Sequence, residues 1–121
     1  MAAPIDMSAQ ELTRQIIFIT HQLGLYQAEL ARVLHLQCAD IGRLTSGQTL
    51  LEQDSVAWQQ ARRFVRFYAL LVDRLDGDEV AMYHWLRARN SLLKSEPLLM
   101  LVDHDQLEPV IRLLESGHEI R

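Results

Sequence analysis

The sequence predicts an all-α fold, and three observations carry that expectation. Apolar residues recur three and four positions apart through nearly every apolar stretch, no run of useful length alternates apolar and polar side chains, and caps and glycine stops punctuate the chain at helix-length intervals.

Ser8 with Glu11 reads as a capping box that starts a helix at Ala9, with Leu12, Ile16, Ile19 and Leu23 as its apolar face. Gly24 stands where a left-handed residue closes a helix, and Leu25 follows as the usual hydrophobic partner of that stop. A second helix is expected from about Gln27 to Leu34 and a third from about Gln37 to Thr45, before Gly47. Asp54 can cap a long helix to Leu75 whose Ala57, Ala61, Phe64, Val65, Tyr68, Leu71 and Leu75 fall at helical spacing. Asp76-Gly77-Asp78 ends it, and Asp78 caps a helix bearing Val80, Ala81, Tyr83, Trp85 and Leu86 that is expected to stop near Asn90. Ser95-Glu96-Pro97 is a compact start signal for a short helix to about Val102, with Ser95 as cap and the proline in the first turn. The last helix is expected to begin at Asp103 or Asp105, with Pro109 in its first turn and Gly117 beyond its end.

At 121 residues the chain fits one domain, or two small helical units sharing a core; the expected division is 8–53 and 54–121. Hydrophobic residues at 49% and charged residues at 23% are globular proportions, well away from those of a disordered chain. The first ten residues lack Lys and Arg and lead into no signal-type run, and the apolar stretches from Ile16 and from Phe67 are too short to cross a bilayer, so a soluble, cytoplasmic protein is expected. Cys38 is the only cysteine, which excludes an internal disulfide and any cysteine-based metal site. A net charge of -4 weighs against non-specific coating of nucleic acid, since that binding is driven by Lys and Arg. Residues 1–53 and 54–121 are each acidic by two charges, and eleven of the twelve basic residues are Arg, so any DNA contact must come from a local patch of defined pairs.

The stretch QAELARVLHLQCADIGRLTSG resembles the Xre/Cro-type helix-turn-helix. Ala31 occupies the place of the small residue that lets the second helix cross closely over the first, and Leu30, Leu34, Leu36, Ile41 and Leu44 fall at the apolar scaffold positions. Gln27 opens the unit, and His35 replaces the glycine usual in a turn that needs positive φ. The resemblance implies that Gln37, Ala39, Asp40, Gly42 and Arg43 face a major groove: Arg43 can pair with guanine, Gln37 with adenine, Ala39 can touch a thymine methyl, and Asp40 repels phosphate unless it accepts from a cytosine amine. The opposing reading is a packed trihelical module without DNA binding. Arg62, Arg63 and Arg66 on the long helix are either further phosphate contacts or a solvated, ion-paired face.

From Trp85 onward the residues Trp85, Leu86, Asn90, Leu93, Pro97, Leu98, Val110, Leu113, Leu114 and Gly117 follow the pattern of the toxin-binding domain of Xre, MbcA and ParS antitoxins, which this segment resembles. Two places depart from that pattern: Lys94-Ser95 replaces a glycine before the Pro-Leu pair, and Asp103-His104-Asp105 forms the turn before the last helix without glycine. The resemblance implies an antitoxin whose C-terminal helices obstruct the cleft of an NAD-consuming RES-type toxin while a helix-turn-helix homodimer represses the shared operon. Arg87, Arg89, Asn90, Lys94, Glu115, His118, Glu119 and Arg121 are the implied toxin contacts, in a segment that serves as a plug for another protein.

Catalysis is not expected. His21, His35, His84, His104 and His118 lack ligand spacing, and no P-loop, dinucleotide-binding turn or nucleophile elbow occurs, so no metal, cofactor or catalytic residue is assigned. The alternatives to an antitoxin are a stand-alone helix-turn-helix regulator with a C-terminal dimerisation region, and an interaction module with a vestigial helix-turn-helix.

Overall fold

The computed structural model describes residues 7–120. Among them the chain forms seven α-helices and no strand: α1 (Ala9–Leu23), α2 (Gln27–Leu34), α3 (Cys38–Thr45), α4 (Val56–Arg74), α5 (Glu79–Arg87), α6 (Pro97–Val102) and α7 (Leu107–Glu115). None of these helices is long and apolar enough to cross a membrane.

α1 begins as its sequence implies, with Ser8 Oγ accepting from the Glu11 amide at 3.1 Å. The return half of the expected capping box is replaced: the Glu11 carboxylate takes Arg14 at 3.1 Å and Gln15 at 3.2 Å, both within one helical turn of it. At the other end Gly24 adopts φ 68°, and its own amide and that of Leu25 reach back to the carbonyls of His21 and Thr20. A Cβ on Gly24 would lie 3.2 Å from the Tyr83 ring, whereas Gly47, also left-handed at φ 82°, has open space around it. Gly24→Ala is therefore expected to cost about 1–2 kcal/mol, and more than Gly47→Ala by the crowding against Tyr83; urea titrations of the two variants read the difference.

Four starts and stops depart from expectation, each for a local reason. Ser55 caps α4 in place of Asp54: Asp54 turns left-handed at φ 64°, leaving Ser55 extended with its hydroxyl 3.0 Å from the Trp58 amide. α5 stops at Arg87, short of Asn90, because the Asn90 side-chain oxygen accepts from the amides of Leu92 and Leu93, at 2.9 and 3.0 Å, and folds residues 90–95 into a turn. Lys94 is the left-handed residue of that turn, at φ 60°. Glu96 rather than Ser95 precedes α6, since the Ser95 backbone is paired with Asn90, and Pro97 takes the first helical position. α7 starts at Leu107, because Asp103 and Asp105 are engaged elsewhere; Pro109 falls within its first turn as expected.

α4 is the organising helix. It packs most extensively on α7 and also on α1 and α2, while α5 packs on α6 and α1, and α6 on α2 and α7. Ala61, Phe64, Phe67 and Leu71 of α4 are wholly buried with Leu12, Ile16, Ile19 and Leu23 of α1 and Leu30 and Leu34 of α2. Each large buried side chain contributes on the order of 1.5–3 kcal/mol. On α5 the buried stripe is Met82, Trp85 and Leu86; Val80 and Tyr83, read from sequence as part of the apolar face, are 66% and 45% exposed. The i, i+3, i+4 spacing from Met82 is the one that meets α6 and α1.

The segment from Trp85 joins this same interior. Leu86, Leu98, Leu101, Val110, Leu113 and Leu114 belong to one continuous core with the first three helices, so the divisions 8–53 and 54–121 share a single apolar interior. Buried polar groups stitch it together: Thr13 Oγ1 accepts from the Leu51 amide at 3.2 Å, and Gln60 Nε2 donates to the Val33 carbonyl at 3.0 Å. The Tyr68 phenol, in edge contact with Phe18, has its pKa raised by burial and secondarily by Glu79.

Candidate functional site

The first candidate surface is built by α2, its turn and α3. α2 starts at Gln27, with the Glu29 carboxylate accepting from the Tyr26 amide at 2.8 Å. Ala31 is buried, and His35 takes the left-handed conformation, φ 60° and ψ 40°. The Leu36 amide then bonds the Ala31 carbonyl at 2.9 Å and brings the chain round into α3. Ile41 and Leu44 point into the core, which leaves Gln37, Cys38, Ala39, Arg43 and Thr45 on the outside.

Half-buried Asp40 and exposed Arg43 are committed to each other. Asp40 accepts from the Gln37 amide at 3.0 Å, capping α3, and its other oxygen holds Arg43 at 2.5 Å. Gln37 is the residue before the helix, not within it, so its side chain stands at the very tip of α3. The residues expected from sequence at DNA, Gln37, Ala39, Asp40, Gly42 and Arg43 together with Gln27 at the opening of the unit, thus all lie on or beside this pair of helices, with Asp40 and Gly42 half-buried and the others exposed.

The turn is braced from behind by a loop some seventy residues away in sequence, and nothing local announces this. His35 Nε2 lies 2.8 Å from Asp105 Oδ1, and Arg32 Nη1 lies 2.7 Å from Asp103 Oδ1. Gln60 Nε2, already bonded to Val33, is 3.4 Å from the same Asp105 oxygen. The acidic turn between α6 and α7 therefore contacts α2 and the turn that follows it, and these two aspartates, read from sequence as starts of the last helix, are the residues whose place at this surface sequence reasoning missed.

The second candidate surface is a groove of about 470 Å³ between the end of α5, the 88–92 segment and the last residues, lined among others by His84, Trp85, Arg89, Asn90, Leu92, Glu119 and Ile120. Trp85 Nε1 donates to the Ile120 carbonyl at 3.0 Å and ties the C-terminal residues to its floor. Leu92, 53% exposed, and Arg89 stand on its rim.

Of the eight residues assigned to a toxin contact, the groove gathers Arg89, Asn90 and Glu119, with Lys94 nearby on the same turn. The others are spread out. Arg87 turns to α1, where it donates to the Leu23 and Gly24 carbonyls at 3.0 and 3.2 Å and lies 3.7 Å above the Tyr83 ring, capping the helix end. Glu115 is paired with Arg66, and His118 Nδ1 is 2.7 Å from Ser116 Oγ. Arg121 lies outside the described residues. Asn90 uses its side-chain oxygen on its own turn.

The chain matches no protein-family model and has no significant match among curated proteins.

Proposed function

We propose that this chain is a cytoplasmic helix-turn-helix antitoxin: it binds operator DNA through the outer face of α3 and blocks a RES-type toxin through its C-terminal helices. The observation that carries the DNA half is the α2–turn–α3 unit, with buried Ala31, a left-handed His35 and an α3 whose outer face holds Gln37, Ala39 and Arg43 clear of the core. The toxin half is supported by the resemblance of the segment from Trp85 to antitoxin toxin-binding domains. The groove beside Arg89, Leu92 and Glu119 is the surface of that segment fitted to a partner, since it joins an exposed apolar side chain to charges of both signs.

A stand-alone regulator is the second reading, and a specific observation favours it: apart from Leu92 and Leu99, the large apolar residues from Trp85 onward are consumed in this molecule's own core. Co-expression with the product of the neighbouring gene separates the two. A stable complex and relief of growth arrest support the antitoxin, whereas a shift of its own promoter DNA with neither effect supports the regulator.

Arg43→Ala is expected to weaken operator binding by about 1–3 kcal/mol, roughly 5- to 150-fold, if the guanidinium leaves Asp40 to read a base. A fluorescence-anisotropy titration at fixed salt measures it, and an unchanged affinity would remove Arg43 from the interface.

A further inference from the structure

α4 carries a face that turns away from the core, with Leu12 of α1 lining the same trough and Glu115 of α7 paired to Arg66 on it. At roughly 100° per residue, Arg62, Arg66, Ala69 and Asp73 run along its centre, with Val65 on one flank and Leu70 on the other. The four central residues are exposed and the two flanking ones half-buried, and a shallow trough of about 790 Å³ follows the same line.

This pattern is complementary to itself. When two such helices lie antiparallel about a two-fold axis level with the junction of Phe67 and Tyr68, Arg62 stands opposite Asp73 of the second copy and Arg66 opposite its Ala69. Val65 and Leu70 lie equally far from that junction, so both copies contribute them around the axis. The same midpoint serves all three relations. Ala69 is small enough to let the Arg66 stem cross it while the Arg66 charge remains with Glu115. Asp73 has no ion pair among the described residues. Arg62 already has an interaction, but a guanidinium has five N–H donors and accommodates a second acceptor.

We propose that this face joins two copies of the chain in an antiparallel contact of α4 with α4, Arg62 of each pairing with Asp73 of the other. An isologous contact of this kind repeats every favourable pair twice, which is why a charge pattern symmetric about one point suits a second copy. Nucleic acid suits it less: Asp54 and Asp73 stand at the two ends of the trough, and the Arg63 guanidinium is drawn to Gln60 at 3.0 Å. The contact would also relate two helix-turn-helix units by the symmetry that paired half-sites require.

Sedimentation equilibrium of the full chain, without DNA or any partner protein, tests the proposal. The unaltered chain is expected to dimerise, and Arg62→Asp and Asp73→Arg are each expected to raise the dimer dissociation constant roughly ten- to a hundred-fold, because each turns two attractive pairs into two repulsive ones. The double variant, with the charges exchanged, is expected to return to within a few-fold of the original, while circular dichroism verifies that all four proteins are folded. A monomeric unaltered chain at high micromolar concentration, single variants that dimerise as before, or a double variant no better than the singles would each overturn it. Failure of DNA binding with this pattern intact would count against the proposed function alone.

Discussion

Phe64→Ala is expected to lower the unfolding free energy by about 3–5 kcal/mol, a large share of the roughly 5–15 kcal/mol that holds a domain of this size together. Phe64 is wholly buried in α4 and stacks on Phe67 with ring centres 6.1 Å apart. α4 packs against α1, α2 and α7 at once, so the space left by the ring borders several helices and cannot be closed by the shift of one. Phe64→Leu keeps most of the volume and is expected to cost less than about 1.5 kcal/mol. Urea titrations with unchanged slopes measure both, and a loss below that of the leucine variant would place the centre of the core elsewhere.

Trp85→Ala is expected to cost a comparable amount, about 3–5 kcal/mol, through the lost ring and the stranded carbonyl it served. The indole donates to the Ile120 carbonyl, and the ring closes the floor of the C-terminal groove. Trp85→Phe retains most of the apolar area and loses the N–H, for an expected cost of about 1 kcal/mol. If both variants were equally unstable, the hydrogen bond would outweigh the packing. A functional defect in Trp85→Ala would therefore report on folding, and a partner contact is better probed at the groove rim, at Arg89, Leu92 and Glu119.

Helices were legible because their signals are local. The spacing of Leu12, Ile16, Ile19 and Leu23 is a property of fifteen neighbouring residues, and Ser8, Gly24 and Asp78 act within four positions of themselves. Cap assignments slipped by one at two helices: Asp54 and Ser55 are both suitable caps and the loop leaves Ser55 extended, whereas Ser95 is held by its backbone pairing with Asn90, so that Glu96 precedes Pro97 without a side-chain cap. The left-handed His35 was expected from the resemblance to helix-turn-helix turns, in which a glycine usually holds that place.

Side-chain roles were another matter. Arg87, Glu115 and Asn90 read as exposed groups awaiting a partner, yet Arg87 bonds carbonyls some sixty positions earlier and Glu115 pairs with α4, both distances at which periodicity carries no information. Asp103 and Asp105 read as helix starts, and packing of α6 on α2 converted them into braces for the helix-turn-helix turn. A charged side chain on a helix surface has the same sequence signature whether its counterpart is solvent, another protein or its own chain. The all-helical class and apolar faces such as that of Leu12, Ile16, Ile19 and Leu23 were thus determined by the sequence alone, because backbone hydrogen bonding and 3.6-residue periodicity are satisfied among near neighbours. Which charges remain free for a partner was decided only by the tertiary structure, because ion pairs form between whatever groups the packed helices bring within reach.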